Sequence, residues 1–199
     1  MIKYSQKEME YISRKNDVMR DLVSHFGHME KGVSGDVFSS LVMNIIGQML
    51  SNRVAEVLSQ RFLHIVGDIT PSHILAADID AIKQCGISKR KAEYIMSLAQ
   101  EVSEGKYDFS LLENMSDEEV IKYLMQIKGV GRWTAEMIAE FTMGRLDIFS
   151  YDDVALQNGI KKAHGFKTLS RQRFEGLRKK YAPYCSVASL YYYALNDER

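Results

Sequence analysis

Apolar residues recur at intervals of three and four along almost the whole chain of 199 residues. No segment alternates apolar and polar positions as a half-buried strand does, so the pattern predicts an all-α protein. The apolar segment 36–66 is predicted to form one long helix. Shorter helices are predicted immediately after Pro71 and at 78–84, 88–105 and 152–164, with two more before the C-terminus. We expect a helical bundle with two lobes.

Local signals mark where individual helices begin. Ser5 with Glu8, and Ser116 with Glu119, have the spacing of a capping box, in which a hydroxyl and a carboxylate satisfy backbone amides at a helix start. A loop is predicted at 27–35, where the sequence "GHMEKGVSG" is rich in glycine. Helices should therefore start just after each of these serines.

The composition narrows the function without identifying it. Basic and acidic residues balance at 26 each, so the chain lacks the excess positive charge of many nucleic-acid-binding proteins, although a local basic face is compatible with this balance. Its two cysteines, Cys85 and Cys185, form neither a metal-binding spacing nor a disulfide framework. The N-terminus is too charged for a signal peptide, and no apolar stretch has membrane-spanning length. We therefore expect a cytoplasmic protein.

The segment 127–141, "IKGVGRWTAEMIAEF", combines a tight turn with a helix start. Gly129 and Gly131 permit the turn and leave backbone amides unshielded at the N-terminus of the second helix. These amides and the helix dipole favour an anion such as a nucleic-acid phosphate, and Lys128 and Arg132 add positive charge beside them. Taken alone, however, the pattern is better explained by an ordinary glycine-rich elbow.

The longer string around this elbow resembles the helix-hairpin-helix of a known family. Four further segments between residues 38 and 195 match the same family in order: "FSSLVMNIIGQMLSNRVAEVLSQRF", "CGISKRKAEYIMSLA", "DIFSYDDVALQNGIKK" and "YAPYCSVASLYYYAL". The chain resembles the HhH-GPD superfamily of DNA glycosylases, which includes endonuclease III and DNA-3-methyladenine glycosylase II. It is most similar to the latter branch, and we expect a compact form without the N-terminal β domain and without the four-cysteine iron–sulfur loop.

The resemblance implies a set of DNA contacts. Gln48 and Ser51 occupy the Q-x-x-S positions of the family's helix. The side chain that fills the gap left by a flipped base is expected at Met49, with Leu50 as second choice, although Met49 fits equally well as a core residue of an apolar helix. The expected DNA-binding residues are Gln48, Met49, Ser51, Lys128, Gly129, Gly131, Arg132 and Thr134.

The resemblance also implies a catalytic residue. Asp152 and Asp153 directly precede the helical run "VALQNGIKKAHG". The second acid aligns with the family's catalytic aspartate, so catalysis is assigned to Asp153 and capping or support to Asp152. A carboxylate there can stabilise the positive charge that develops on the sugar when an N-glycosidic bond breaks. The alternative is that both acids only cap the helix.

Trp133 distinguishes this chain from part of the family. Relatives that also cut the DNA strand carry a lysine nucleophile at that position, so the resemblance implies a monofunctional glycosylase that uses water. An electron-rich aromatic face suits cationic bases such as 3-methyladenine, and also 7-methylguanine. The expected base pocket comprises Trp133, Tyr193, Met137 and Tyr151. The last two, together with Cys185 in place of a common arginine, depart from the usual family residues.

The domain organisation and partners follow from the same resemblance. We expect a single glycosylase unit with lobes at 36–128 and at 1–35 plus 129–199, and with the hairpin at 116–142 between them. No cofactor or metal site is expected, apart from a monovalent cation that hairpin carbonyls can bind. The expected partner is damaged double-stranded DNA, bound by a cytoplasmic, nucleoid-associated monomer with no membrane contact. Alternatives are a glycosylase for deaminated or oxidised bases and a non-catalytic DNA-binding protein.

Overall fold

The computed structural model describes residues 2–29, 32 and 36–198. These residues form twelve α-helices and no strand, which confirms the all-α prediction. In chain order the α-helices are α1 Gln6–Ser13, α2 Asp17–Phe26, α3 Val37–Gly47, α4 Asn52–Val66, α5 Pro71–Ala76, α6 Ile79–Gln84, α7 Lys89–Ser103, α8 Asp117–Leu124, α9 Arg132–Met137, α10 Val154–His164, α11 Arg171–Tyr181 and α12 Cys185–Asp197. A 3₁₀ helix spans Phe109–Asn114 and a π-helical segment spans Ile138–Thr142.

The chain divides into two compact units. The terminal unit comprises Met1–Gly35 and Ala139–Arg199, and the middle unit comprises Asp36–Ile138. The predicted boundary after residue 128 is wrong, because α9 packs against α8 and the middle unit therefore continues through the turn and α9 to Ile138. The predicted loop at 27–35 lies partly outside the described residues, at 30, 31 and 33–35.

The core of the terminal unit is rich in aromatic residues. Helices α10 and α12 pack closely, and Gly159 allows this because a Cβ atom there would lie 2.0 Å from the carbonyl oxygen of Tyr192. The hydroxyls of Tyr181 and Tyr192 are 2.7 Å apart, and the amide of Asn16 donates to Tyr181 at 2.7 Å. Burial raises the pKa of Tyr192 well above its ordinary value, so this hydroxyl is a hydrogen-bonding group and not a charge.

The predicted long helix at 36–66 is wrong. The structure has two helices, α3 and α4, separated by a bend at residues 48–51. The apolar pattern runs through the bend without interruption, so periodicity alone gave no signal for it. Beyond α9 the chain continues as a π-helix over Ile138–Thr142.

Both predicted capping boxes are confirmed. The carboxylate of Glu8 accepts from the amide of Ser5 at 2.7 Å, and that of Glu119 accepts from the amide of Ser116 at 2.8 Å. The second box fixes the start of α8, which is the first helix of the hairpin. Among the described residues, no helix has both the length and the apolar character to cross a membrane.

Candidate nucleic-acid interface and active site

Met49 stands out in the bend between α3 and α4. Its side chain is 100% exposed, although methionine is an apolar residue that proteins usually bury. Its backbone has φ of +59°, in the left-handed region that non-glycine residues avoid, and no other non-glycine residue in the described part of the chain has a positive φ. The interpretation of Met49 as a core residue is therefore wrong. Strained backbone of this kind is concentrated at functional sites.

Two long-range contacts hold the bend in place. The ammonium group of Lys91, on α7, donates to the carbonyl oxygens of Ile46 and Gln48 at 2.8 and 2.7 Å. These oxygens lie at the C-terminal end of α3, where backbone carbonyls lack helical partners and the dipole favours a cation. Burial lowers the pKa of Lys91. Lys91 thus caps the C-terminal end of α3 and fixes the backbone immediately before Met49.

The side chain of Gln48 connects this bend to the hairpin. Its amide nitrogen donates to the carbonyl oxygen of Gly129 at 2.9 Å. This bond fixes the turn relative to the end of α3, and the assignment of Gln48 as a DNA-binding residue stays a prediction. Ser51, at the other end of the bend, is exposed and begins α4 without a side-chain capping bond. Its role as a DNA contact stays a prediction.

The hairpin turn requires glycine at its first position. Gly129 has φ of +90°, and a Cβ atom there would lie 2.4 Å from the ring of Tyr94. The ring packs directly on the turn, and the ammonium group of Lys128 lies 5.6 Å from its centroid. Lys128 is exposed, so its charge is available at the surface.

Gly131 has a different role from Gly129. It is the N-cap of α9 with φ of −90°, an ordinary value, and a Cβ atom there would contact nothing within 4 Å. Because Gly131 has no side chain, the backbone amides in the first turn of α9 are left uncovered. Thr134, in that turn, is buried, so its side chain is shielded, and its assignment as a DNA-binding residue stays a prediction that now concerns its backbone amide.

Arg132 does not supply the free positive charge that was predicted. Its guanidinium forms a bidentate pair with Glu118 at 2.8 and 3.2 Å and donates from Nε to Glu136 at 2.9 Å. The hydrogen bond to Glu118 raises the pKa of Arg132 above its ordinary value. Two carboxylates more than offset one guanidinium, so Arg132 ties α8 to α9 and adds no net positive charge beside the turn.

Trp133 lines a cleft within the middle unit. The cleft has a volume of about 340 Å³, and its other lining residues belong to the bend and the helices beside it, namely Met43, Asn44, Gly47, Gln48, Met49, Leu50 and Ala55. The indole is 38% exposed, which is a large exposed area for tryptophan. The cleft therefore presents an aromatic surface next to the strained, exposed methionine.

In the terminal unit, Asp153 caps α10. Its Oδ1 accepts from the backbone amide of Leu156 at 2.7 Å, and the residue is only 6% exposed. The N-cap is Asp153, so the capping role assigned to Asp152 is wrong, whereas a supporting role for the exposed Asp152 stays a prediction. The amide bond holds the carboxylate of Asp153 at the start of the helix. Capping is compatible with catalysis, because a catalytic carboxylate must be held in one position and the capping bond does this.

The other predicted pocket residues differ in exposure. Tyr151 is half-buried, packs edge-on against Phe174 at 5.1 Å and lies under the guanidinium of Arg171 at 4.5 Å. Tyr193 is half-buried, with its ring 5.8 Å from that of Phe141 in the same unit. Met137, at the end of α9, is buried. Their assignment to the base pocket stays a prediction.

Cys185 is a structural residue. Its amide donates to Asp147 at 3.3 Å and its thiol donates to the carbonyl oxygen of Arg178 at 3.3 Å. Burial raises the pKa of the thiol far above its ordinary value, so it is neither a nucleophile nor a charge that replaces the family's arginine. Within the described residues, no three His, Cys, Asp or Glu side chains are grouped so that they could hold a metal ion.

Sequence reasoning missed Lys91, Glu118 and Glu136, which hold the bend and the hairpin. Lys91 lies inside the family-like segment "CGISKRKAEYIMSLA", and this was the one available signal. The two glutamates are spaced fourteen and four residues from Arg132, and only the four-residue spacing predicts an ion pair within a helix.

Comparison with known proteins gives consistent results. The HhH-GPD superfamily of base excision DNA repair proteins matches residues 42–183. The protein YfjP of Bacillus subtilis is 32% identical over 164 residues, which cover 78% of this chain but only 57% of that protein.

Two solved structures are similar over nearly the whole chain. A DNA-3-methyladenine glycosidase from Bacillus halodurans has a TM-score of 0.86 at 34% identity, covering 96% of this chain and 89% of its own. The Schizosaccharomyces pombe 3-methyladenine DNA glycosylase Mag1, in complex with abasic DNA, has a TM-score of 0.85 at 28% identity, covering 94% and 95%. The family match spans more than half of the sequence and includes the bend, the hairpin and the start of α10. This chain belongs to the HhH-GPD superfamily of base excision DNA repair proteins.

Proposed function

We propose that this protein is a monofunctional DNA glycosylase that removes alkylated bases, chiefly 3-methyladenine and also 7-methylguanine, from damaged double-stranded DNA. The observation that carries the proposal is the buried, fixed carboxylate of Asp153, at the position of the family's catalytic acid. The names of the similar structures support the choice of alkylated bases.

The chemistry that suits Asp153 is hydrolysis of a weakened glycosidic bond. In an alkylated purine the base is cationic, so it leaves with the bonding electron pair as a neutral molecule. The sugar C1′ gains positive charge as this bond breaks, and a water molecule attacks it. Asp153 stabilises that charge and accepts the proton that the water loses, and its shielding from solvent strengthens the electrostatic effect.

Trp133 supports the monofunctional route. It stands where lyase relatives have an amine nucleophile, and an indole cannot form the Schiff base that precedes strand cleavage. Water is therefore the nucleophile and an abasic site is the product. The indole instead offers an aromatic face in the cleft, which suits a cationic base.

Met49 supports a base-flipping step. A flipped nucleotide leaves a gap in the stack, and an apolar side chain can fill it. Met49 is fully exposed on a strained backbone that Lys91 holds, so the backbone of the bend does not have to become ordered when DNA binds. Leu50 is the less exposed neighbour and the second candidate.

We propose further that the enzyme acts as a monomer and needs no organic cofactor, because a cationic base is a sufficient leaving group. The carbonyl oxygen of Gly129, fixed by Gln48, is one of the hairpin oxygens suited to a monovalent cation. Activity should then survive chelators of divalent metals and fall when potassium and sodium are replaced by a bulky organic cation. Equal activity in the bulky cation would refute the cation site.

One panel of substrates tests the function. Duplexes that contain alkylated bases, uracil or 8-oxoguanine are incubated with the protein, and abasic sites are then cleaved with hot alkali. Cleavage of the alkylated duplex alone is expected. Cleavage of the uracil or 8-oxoguanine duplex instead would identify a different glycosylase, and no cleavage at all would indicate a DNA-binding protein.

A second measurement tests the mechanism. Borohydride reduces a Schiff base to a stable amine, so it traps lyase enzymes on DNA. No trapped adduct is expected here, whereas a lyase relative serves as the positive control. A covalent adduct with this protein would overturn the assignment of water as nucleophile.

A further inference from the structure

A strongly basic surface lies in the terminal unit. Segment 161–180 has eight of the chain's 26 basic residues and only one of its 26 acidic residues, Glu175. The basic residues are Lys161, Lys162, Lys167, Arg171, Arg173, Arg178, Lys179 and Lys180. A chain with no net charge thus concentrates positive charge at the end of α10 and along α11.

This surface contains a groove of about 420 Å³, here called the basic groove. One wall is a single face of α11, and the others come from the start of α2 and the end of α10. Its lining residues are Asn16, Asp17, Val18, His164, Phe166, Arg173, Gly176, Leu177 and Lys180. Arg173 and Lys180 are two helical turns apart, about 10 Å along the axis. This distance corresponds to about three nucleotides of a DNA strand.

The two cations of the basic groove are available to a ligand. Within the described part of the chain, neither Arg173 nor Lys180 has a carboxylate within 4.0 Å, since Glu175 pairs with Arg171 and Asp17 pairs with Arg20. The guanidinium of Arg173 instead lies 4.8 Å over the ring of Phe166, which holds it in place without neutralising it. Both side chains belong to exposed residues.

Gly176 lies between these cations in the middle of α11. Glycine there destabilises a helix relative to alanine, so a packing or functional reason for it is expected. Here no positive φ requires glycine, and a Cβ atom would meet nothing within 4 Å. Neither backbone conformation nor packing therefore requires glycine at position 176, but the missing side chain keeps the floor of the groove open.

The hairpin alone supplies little charge for DNA. Arg132 is paired with two carboxylates, whereas the exposed Lys128 has no carboxylate within 4.0 Å in the described part of the chain. Neutralisation of phosphates by Lys and Arg provides most of the sequence-independent affinity for DNA. We propose that the basic groove binds backbone phosphates of the DNA, as a contact additional to the hairpin, with Arg173 and Lys180 as the phosphate-binding residues. This inference rests on the proposed function, since it assumes a DNA substrate.

Salt dependence of binding tests the charge contribution. The double variant Arg173→Ala/Lys180→Ala is compared with Lys83→Ala/Lys106→Ala, which removes the same charge from ion pairs with Asp80 and Glu101 in the middle unit. Binding of an undamaged 40-base-pair duplex is measured between 50 and 200 mM salt. The slope of log K against log salt should become shallower by about 2 in the groove variant, about one per lost contact. Equal slopes in the two double variants would overturn the proposal.

Two substitutions at Gly176 test the shape of the groove. Gly176→Ala should raise the melting temperature and leave the DNA affinity nearly unchanged. Gly176→Leu fills the floor of the groove and should weaken duplex binding at low salt by tenfold or more. Wild-type affinity in a folded Gly176→Leu variant would contradict the proposed site.

Base release is measured separately for each variant on alkylated DNA at saturating enzyme. If the wild-type protein releases no base, the proposed function fails while the salt slopes are still informative. If bases are released but the slopes are equal, only the basic groove fails.

Discussion

Two regions of the molecule, the bend at residues 48–51 and the start of α10, depart from ordinary protein surfaces in opposite ways. The bend exposes an apolar side chain completely on strained backbone, whereas the start of α10 buries a carboxylate on relaxed backbone, with φ of −82° at Asp153. Polar contacts hold both in place: Lys91 donates to carbonyl oxygens of the bend, and the amide of Leu156 donates to the carboxylate of Asp153.

This contrast separates two physical requirements of base excision. A side chain that fills a gap in stacked DNA must be apolar and ready at the surface before binding. A carboxylate that stabilises a developing cation must instead be fixed and shielded from water. The middle unit accordingly accepts local strain to present an exposed group, and the terminal unit uses close packing to hold a buried one.

The largest effect is expected at the buried carboxylate. Asp153→Asn removes the charge but keeps an oxygen that accepts from Leu156, so the cap and the fold should survive. Base release should fall by about 10²–10⁴-fold while DNA binding stays nearly intact. The matched control is Asp152→Asn, at an exposed position, which should be near wild type. Single-turnover rates measure both, and equal turnover by the Asp153 variant would remove its catalytic role.

Close packing of the terminal unit predicts the second effect. Gly159→Ala would place a Cβ atom 2.0 Å from the carbonyl oxygen of Tyr192, so α10 and α12 must separate. The free energy of unfolding should fall by about 3 kcal/mol. Gly176→Ala is the control, because it is also inside a helix of this unit but meets nothing within 4 Å. It should gain about 0.5–1 kcal/mol. Denaturant unfolding of both variants gives the comparison, and similar stabilities would argue against the packing of α10 on α12.

The turn of the hairpin predicts a smaller loss. Gly129→Ala combines an unfavourable positive φ with a contact of 2.4 Å to the ring of Tyr94, and should cost about 1–3 kcal/mol. Gly131→Ala, where there is open space and an ordinary φ, should cost less than about 1 kcal/mol. Thermal melting ranks the two variants. If Gly131→Ala is the more damaging, the packing described for the turn is wrong.

The contrast between local and distant causes also decides what the sequence could predict. The starts of α1 and α8 were predicted correctly because a capping box needs only residues three apart. The bend was not predicted, because its apolar pattern is continuous and its cause, Lys91, lies more than forty residues away along the chain. The boundary at Ile138 was missed for a related reason, since it depends on the packing of α9 against α8.

The same distinction applies to the site. Asp153 and Trp133 were chosen because their positions match family motifs, and the structure adds that one is a buried cap and the other lines a cleft. The pairing of Arg132 with Glu118 could not be predicted, because it joins two helices across a turn. The prediction of Met49 as a wedge gained support from its exposure, which no local pattern specified.

The smallest and most discriminating effect concerns Met49 itself. If its positive φ is strain that the middle unit tolerates for function, Met49→Gly should relieve about 1–2 kcal/mol of strain, which exceeds the roughly 0.5–1 kcal/mol that the chain entropy of glycine costs. The protein should therefore be stabilised by about 0.5–1 kcal/mol. The same change removes the apolar wedge, so base release from duplex DNA should slow by roughly tenfold. Met49→Leu keeps an apolar side chain and should retain most of the activity. Stability and activity should therefore change in opposite directions in the glycine variant, because the exposed side chain does not stabilise the folded protein when no DNA is bound. A loss of stability together with full activity would show that Met49 serves the fold and not the DNA.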